Sequence, residues 1–431
     1  MQHRNFRLLW GGQSLSLTGT MMQNATVLWH VSLLAGDQKA LALGTVGLVR
    51  VVPILLCALL GGAIADAFDR RKTMLVTQGA MAVFAAVLAL VTLFGASDLA
   101  SVYLLTALTA AASAFDGPAR TSLVPTLVRR EHLSNAVTLN KMLFQVTSVV
   151  GPAAAGLALV FLDIGWIYAI NAVSFVAVFA ALLAMRDVPA RTASERAPVS
   201  VRAVADGLRF VFGTPLIRST MLLDFVACFF CSATALLPIF AQDVLQVGPV
   251  GYGWLCAAPA VGAVVTSAIL VRQERRITHR GRMLLWTVAV YGAATVAFGL
   301  SENFVLTLLC LAVVGAADTV NMVLRNVIRQ LHTPDALRGR MVGVNLVFAQ
   351  GGPQLGELEA GVVAQMFGPV VSVVTGGLGC LLATGWMVWN CPVLRRYRHI
   401  TDAEPAPARV VPMPSGPAPV RTMPGRTASS G

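Results

Sequence analysis

Residues 41–72 read LALGTVGLVRVVPILLCALLGGAIADAFDRRK, and this stretch decides the class of molecule. Its first 25 residues carry a single charge, Arg50, and then the chain turns abruptly into Asp66, Asp69, Arg70, Arg71 and Lys72. A helix rises 1.5 Å per residue, so such a block crosses a hydrocarbon core about 30 Å thick. With no water there to satisfy the backbone, the block is expected to be helical. The same alternation of apolar block and polar break recurs along the chain. It gives expected helices at 8–34, 41–65, 73–95, 100–119, 142–162 and 165–185, then at 218–240, 251–271, 282–300, 304–325, 341–366 and 369–390. The expectation is therefore an all-α integral membrane protein of twelve transmembrane helices.

Composition agrees. Hydrophobic residues make up 56% of the 431 residues and charged residues 12%, against about 25% charged in an average soluble domain. The net charge of +12 would suit nucleic acid, but the basic residues sit in short loops and form no stripe interleaved with aromatics, so no nucleic acid is expected as a partner. Those loops report orientation instead. The loops near 35–40, 96–99, 163–165, 241–250, 301–303 and 367–369 hold one basic residue, Lys39, of the 32 in the chain, yet they hold Asp37, Asp98, Asp163, Asp243 and Glu302. Positive charge marks the cytoplasmic side. Both termini are thus expected in the cytoplasm, with the chain multi-pass in a bacterial cytoplasmic membrane. A signal-peptide reading of the first block fails because no small-residue cleavage site follows and Gln13, Gln23 and Asn24 interrupt the run.

The division expected is 1–185 as one six-helix half, 186–217 as a cytoplasmic linker, 218–390 as the second half, and 391–431 as a disordered Pro-, Ala- and Arg-containing tail. A weak internal repeat supports two halves. Asp116 and Asp318 lie 202 residues apart, and Gly151-Pro152 and Gly352-Pro353 lie 201 apart. Transporters built of two parallel six-helix repeats give such an offset, with the substrate site between them near the midplane.

The loop Gly61 to Lys72 resembles the signature of the major facilitator superfamily. Gly62, Ala65, Asp66, Arg70 and Arg71 keep the pattern; Ala67 stands where the family usually has Arg, and Asp69 where it often has Gly. The resemblance implies a conformational latch that includes Asp66 and Arg70, with Arg71 beside them. Physically, a carboxylate at a helix end accepts free N–H groups of a neighbouring helix while holding an Arg; a charged turn that only sets topology is the plainer alternative. Gly151-Pro152-Ala153-Ala154-Ala155-Gly156 resembles the antiporter motif of exporting members, with Ala155 in place of a glycine. Gly151, Pro152 and Gly156 would permit a bend and close helix contact, which a packing kink without directional meaning would also explain. Trp10 to Gln13, Ala42 to Arg71, Phe115 to Arg120, Leu237-Pro238, Thr333 to Arg340 and Leu355 to Gly361 together resemble the branch that contains bacterial enterobactin exporters. That branch spans different substrates.

Ionisable groups at membrane depth cost several kcal/mol and are kept for a reason. Arg50 is suited to hold an anionic substrate or to tune a carboxylate, or it forms a structural ion pair. Asp224, about one and a half turns into its helix, is a candidate for cavity lining or for an interfacial position. Asp116 and Asp318 lie near helix ends, and Asp318 and Arg325, seven apart, share a helix face, as a gate or a proton site would. Glu357 and Glu359 are the deepest acids; two apart, they point about 200° from one another, so one alone faces any single cavity. Glu357, following Gly351-Gly352-Pro353 and Gly356, is the preferred protonation candidate, with Glu359 kept open.

The function expected is secondary active transport: proton-coupled efflux of a small amphipathic molecule (drug, siderophore or secondary metabolite) by alternating access. An importer or facilitator on the same scaffold, or a non-transporting membrane sensor, is the alternative. Small molecule, protons and membrane lipid are the expected partners of a monomer. No metal or cofactor is expected: Cys228 and Cys231 form a C-x-x-C without a second Cys or His pair, which reads as packing. No catalytic constellation or ATP-binding segment occurs, so the chain is not expected to be an enzyme.

Overall fold

The computed structural model describes residues 4–67, 69–186, 208–273, 279–334 and 337–397. Within them are twelve helices of 16 residues or more. They are α1 (Arg4–Leu34), α2 (Lys39–Ala67), α3 (Arg70–Leu93), α4 (Leu99–Leu127), α5 (Leu133–Phe161) and α6 (Ile164–Ala184). The second series is α7 (Pro215–Phe230), α8 (Gly248–Gln273), α9 (Arg280–Leu300), α10 (Phe304–His332), α11 (Arg338–Phe367) and α12 (Pro369–Asn390), followed by the short α13 (Pro392–Arg396).

Ten of these helices are long and apolar enough to cross a membrane. α1 and α11 have the length, but polar residues dilute them. Those residues face inward: Gln13, Ser16, Gln23, Thr26 and His30 of α1 are all buried. Meanwhile Val76, Val173, Trp286, Leu382 and Trp389 are 72, 70, 69, 75 and 87% exposed. This pattern, polar within and apolar without, suits a lipid solvent. Buried polar pairs then join helices: the amide of Asn171 (α6) donates to Gln23 Oε1 (α1) at 2.7 Å.

Helix ends follow local chemistry. Asp69 caps α3 by accepting from Arg71 N and Lys72 N, Asp98 forms a reciprocal capping box with Ser101 at α4, and Asn303 caps α10; each satisfies otherwise orphaned N–H groups. One element departs from expectation. The helix expected at 218–240 ends at Phe230, passes through a 3-10 turn at Ala233–Leu236 and a short α turn at Leu237–Ile239, and finishes as a π turn at Phe240–Val244. Pro238, which has no N–H, sits in the first turn of the segment that resumes after this break, where that missing donor is tolerated.

Most helix packing occurs within α1–α6 or within α7–α12. The two extensive contacts between the series are α2 against α11 and α5 against α8. Of the expected linker, 187–207 lies outside the described residues, and 208–213 is helical. Of the expected disordered tail, 398–431 lies outside them. Its beginning is ordered, which corrects that expectation: Leu394 is fully buried, and Gly281 N of α9 donates to Tyr397 O.

Candidate functional site

Both seams between the series are closed by glycines. On α2, a β-carbon at Gly44 would sit 2.7 Å from Glu357 O and 2.9 Å from Gly361 Cα. On α5, one at Gly156 would sit 2.6 Å from Pro249 O and 2.7 Å from Gly253 Cα, and one at Gly253 would meet Pro152 O at 2.8 Å. Gly151, by contrast, packs on Met21 of α1. The Gly-Pro segment thus presses main chain against main chain across α5 and α8.

Cross-series hydrogen bonds gather toward the end of the molecule that carries the acidic loops. Lys39 Nζ lies 3.4 Å from Asp243 Oδ1 and donates to Gln242 Oε1 at 3.4 Å. Gln242 Nε2 donates to Ser32 Oγ at 2.8 Å, and Gln365 Nε2 donates to Asp37 O at 3.0 Å. Deeper in, the Tyr252 hydroxyl (α8) donates to Ala25 O (α1) at 2.7 Å.

At mid-depth, Arg50 and Glu357 face one another across the α2–α11 seam. The Glu357 carboxylate packs on Gly47, one turn before Arg50, where an added β-carbon would meet Oε2 at 2.8 Å. The Arg50 guanidinium interacts electrostatically with Glu357, Tyr252 and Tyr168, and its Nη2 reaches Asn24 O at 3.5 Å. Tyr168 and Tyr252 are fully buried. Tyr168 OH lies 3.1 Å from His30 Nδ1, and Tyr252 stacks near Trp29 with centroids 5.0 Å apart. Glu357 Oε2 and Gln354 Oε1, one turn apart on α11, are buried without a hydrogen-bond partner. A buried acceptor in that state calls for a donor, a cation or a proton. Glu359 is half-buried and, by helical geometry, points away from Glu357.

The remaining candidates lie elsewhere. Asp224 is ion-paired with Arg325, joining α7 to α10, both buried; it does not join Arg50 and Glu357. Asp318 interacts with Cys228 and Tyr291 within the second series, so Arg325 pairs across to α7 rather than along α10. Asp116 accepts from Thr77 Oγ1 at 3.1 Å and Gln78 Nε2 at 2.9 Å, tying α4 to α3. Arg70 Nη1 donates to Ser122 O at 2.6 Å, and Arg71 Nε to Leu182 O at 2.9 Å; both cap carbonyls near helix ends. The surroundings of Gly62 and the side chain of Asp66 lie outside what is described, so the latch is described only through its arginines. Cys231 packs beside Cys380 of α12, and among the described residues no group of three metal-ligating side chains occurs.

Charge alone led to Arg50 and Glu357. It did not lead to Tyr168, Tyr252, His30 or Gln354, which carry no charge; only the glycines at 44, 47 and 361 hinted that α2 and α11 approach closely.

Comparison with known proteins agrees with this architecture. The chain is 26% identical over 341 residues to the enterobactin exporter EntS of Escherichia coli O1:K1, covering 79% of this chain and 81% of that protein. It is 28% identical over 345 residues to the EntS of Shigella boydii serotype 18, with the same coverages. A POT family transporter superposes with a TM-score of 0.70 at 12% identity, covering 91% of this chain and 96% of that one. A bacterial homologue of the human lysosomal transporter Spinster, inward-facing and unoccupied, superposes with a TM-score of 0.67 at 14% identity, covering 90% and 96%. These relatives and neighbours are transporters rather than enzymes, and the solved structures share the major facilitator fold. The model of the family described as transmembrane secretion effector matches residues 1–416, and the chain belongs to that family of major facilitator transporters.

Proposed function

We propose that the chain exports a small amphipathic molecule from the bacterial cytoplasm in exchange for protons. The observation that carries this reading is the Arg50–Glu357 pair at the α2–α11 seam, with Glu357 Oε2 buried and unpartnered. In one state Arg50 compensates the carboxylate. When the seam opens, the Glu357 carboxylate accepts either a proton or a hydrogen-bond donor of the cargo, never both, and the Arg50 charge tunes which of the two it holds. Competition between proton and cargo for one pair couples their fluxes in opposite directions, which is the requirement of an antiporter.

The basic-loop face is cytoplasmic in this reading. The clasp of Lys39, Asp243, Gln242 and Ser32 then shuts the outer face, and the two six-helix halves rock about the seams. The family's description as secretion effector and the exporter names of the relatives support outward direction and a siderophore-like cargo.

Enterobactin is the first probe. In proteoliposomes with an imposed proton gradient, transport driven by that gradient is expected in the wild type and lost in Glu357→Gln, with Glu359→Gln close to wild type. Flux indifferent to collapse of the gradient would defeat the coupling. Loss in Glu359→Gln with Glu357→Gln intact would move the proton site.

A further inference from the structure

At the basic-loop end of the second series, His279, Arg282, Arg395 and Arg396 line a cavity of ≈ 270 Å³. Its walls are fixed by packing. Leu394 is fully buried, Gly281 N donates to Tyr397 O at 3.2 Å, and the Tyr397 ring lies 5.3 Å from that of His332, so α13 is held against the start of α9. Among the described residues the side chains of Arg282, Arg395 and Arg396 have no ion pair and no hydrogen bond. Three guanidiniums held near one cavity, with no acid among its described lining residues, repel one another and await an anion. Their planar donor forks fit phosphate oxygens.

A second, independent feature says what carries the phosphate. Arg282 continues upward into Trp286, 69% exposed, and Val290, 43% exposed, spaced four apart on one face of α9. On α12, which packs against α9, Leu382, Trp386 and Trp389 are 75, 56 and 87% exposed and lead down to Val393 beside Arg396. Two exposed apolar stripes thus converge on a basic cavity at the membrane boundary, where Trp rings ordinarily sit at headgroup level. A soluble anion uses the cavity alone; a phospholipid uses the cavity and the stripes.

We propose that this cavity binds the phosphodiester headgroup of one anionic phospholipid, whose acyl chains lie along the α9–α12 surface. The arrangement is that of basic pockets between helices which select anionic headgroups. It is separate from the Arg50–Glu357 seam and does not depend on the transport direction.

Native mass spectrometry of the full detergent-purified chain tests it, with dioleoyl-phosphatidylglycerol and dioleoyl-phosphatidylcholine as probes. The wild type should retain the anionic lipid preferentially, and R282Q/R395Q/R396Q should lose it by roughly tenfold or more. R129Q/R130Q, which removes exposed charge from another basic loop, should retain it. The single variant R396Q serves if the triple variant melts abnormally, and should lower retention measurably. Glycerophosphoglycerol, the same headgroup without chains, and excess inorganic phosphate should fail to displace the lipid. Equal retention by R282Q/R395Q/R396Q, or equal loss in R129Q/R130Q, overturns the site. Displacement by inorganic phosphate as effective as by lipid assigns the cavity to a free anion and overturns the lipid.

Discussion

Gly156→Ala is the sharpest test of whether the seams work as moving parts. The new methyl would lie 2.6 Å from Pro249 O and 2.7 Å from Gly253 Cα, where ordinary contact begins near 3.4 Å. Both obstacles are main chain and cannot swing aside, so α5 and α8 must part by roughly 0.8 Å or distort, an overpacking that costs about 1–3 kcal/mol. If the seam is tight only while the acidic-loop face is shut, the whole penalty falls on that state. The equilibrium then shifts toward the state open at that face by about 5- to 150-fold. Ser32, fully buried behind Gln242, reports this. In a cysteine-free background, Ser32→Cys should react with a membrane-impermeant maleimide from outside faster when Gly156→Ala is added. If the seam were equally tight in every state, the substitution would lower the melting temperature and leave the labelling rate unchanged. That outcome, in a protein still folded, would refute the reasoning.

Other expectations follow from single contacts. Asp224→Asn or Arg325→Gln leaves a buried charge without its partner and should destabilise by about 3–5 kcal/mol, whereas replacing both by leucine should recover most of that; detergent melting curves compare them. Lys39→Ala removes a half-exposed ion pair and should alter stability by about 1 kcal/mol or less, while raising labelling at Ser32→Cys. Hydrogen bonds from Ser101 hold Asp98, at the exposed start of α4, below the usual aspartate range. A depressed folded-state value means its capping contribution is present above the ordinary value and is lost as pH falls through the folded one. Asp98→Ala should therefore lower the melting temperature at pH 7, and the difference from wild type should shrink under strongly acidic conditions.

Much of the architecture was legible because lipid imposes long uniform blocks and the loop charges alternate. The twelve long helices lie within a few residues of expectation, although α4, α5 and α10 extend further at the basic-loop end. The amphipathic turns at those ends, the last of α4 and α10 and the first of α5, read as loop when hydropathy alone is followed. The break after Phe230 was less legible, since Pro238 stood in the sequence but the apolar run continued across it. At the site, burial singled out Glu357 only through its neighbour Gly47, which comes from a helix some 310 residues away in sequence. The partner of Asp224 was illegible for the same reason: helical spacing relates residues on one helix and says nothing of which face a second helix presents. The tyrosines beside Arg50 carry no charge pattern and are found only by packing.

The glycine seams separate two jobs that many proteins ask of the same side chains. Where backbone bears on backbone, the surface on which the halves would turn in the proposed cycle is written by a handful of small residues. The side chains between the seams, those around Arg50 and Tyr252, are then free to change without spoiling the bearing. A designer wishing to redirect the cargo should therefore vary the neighbours of Arg50 and Tyr252 and leave Gly44, Gly156, Gly253 and Gly361 untouched.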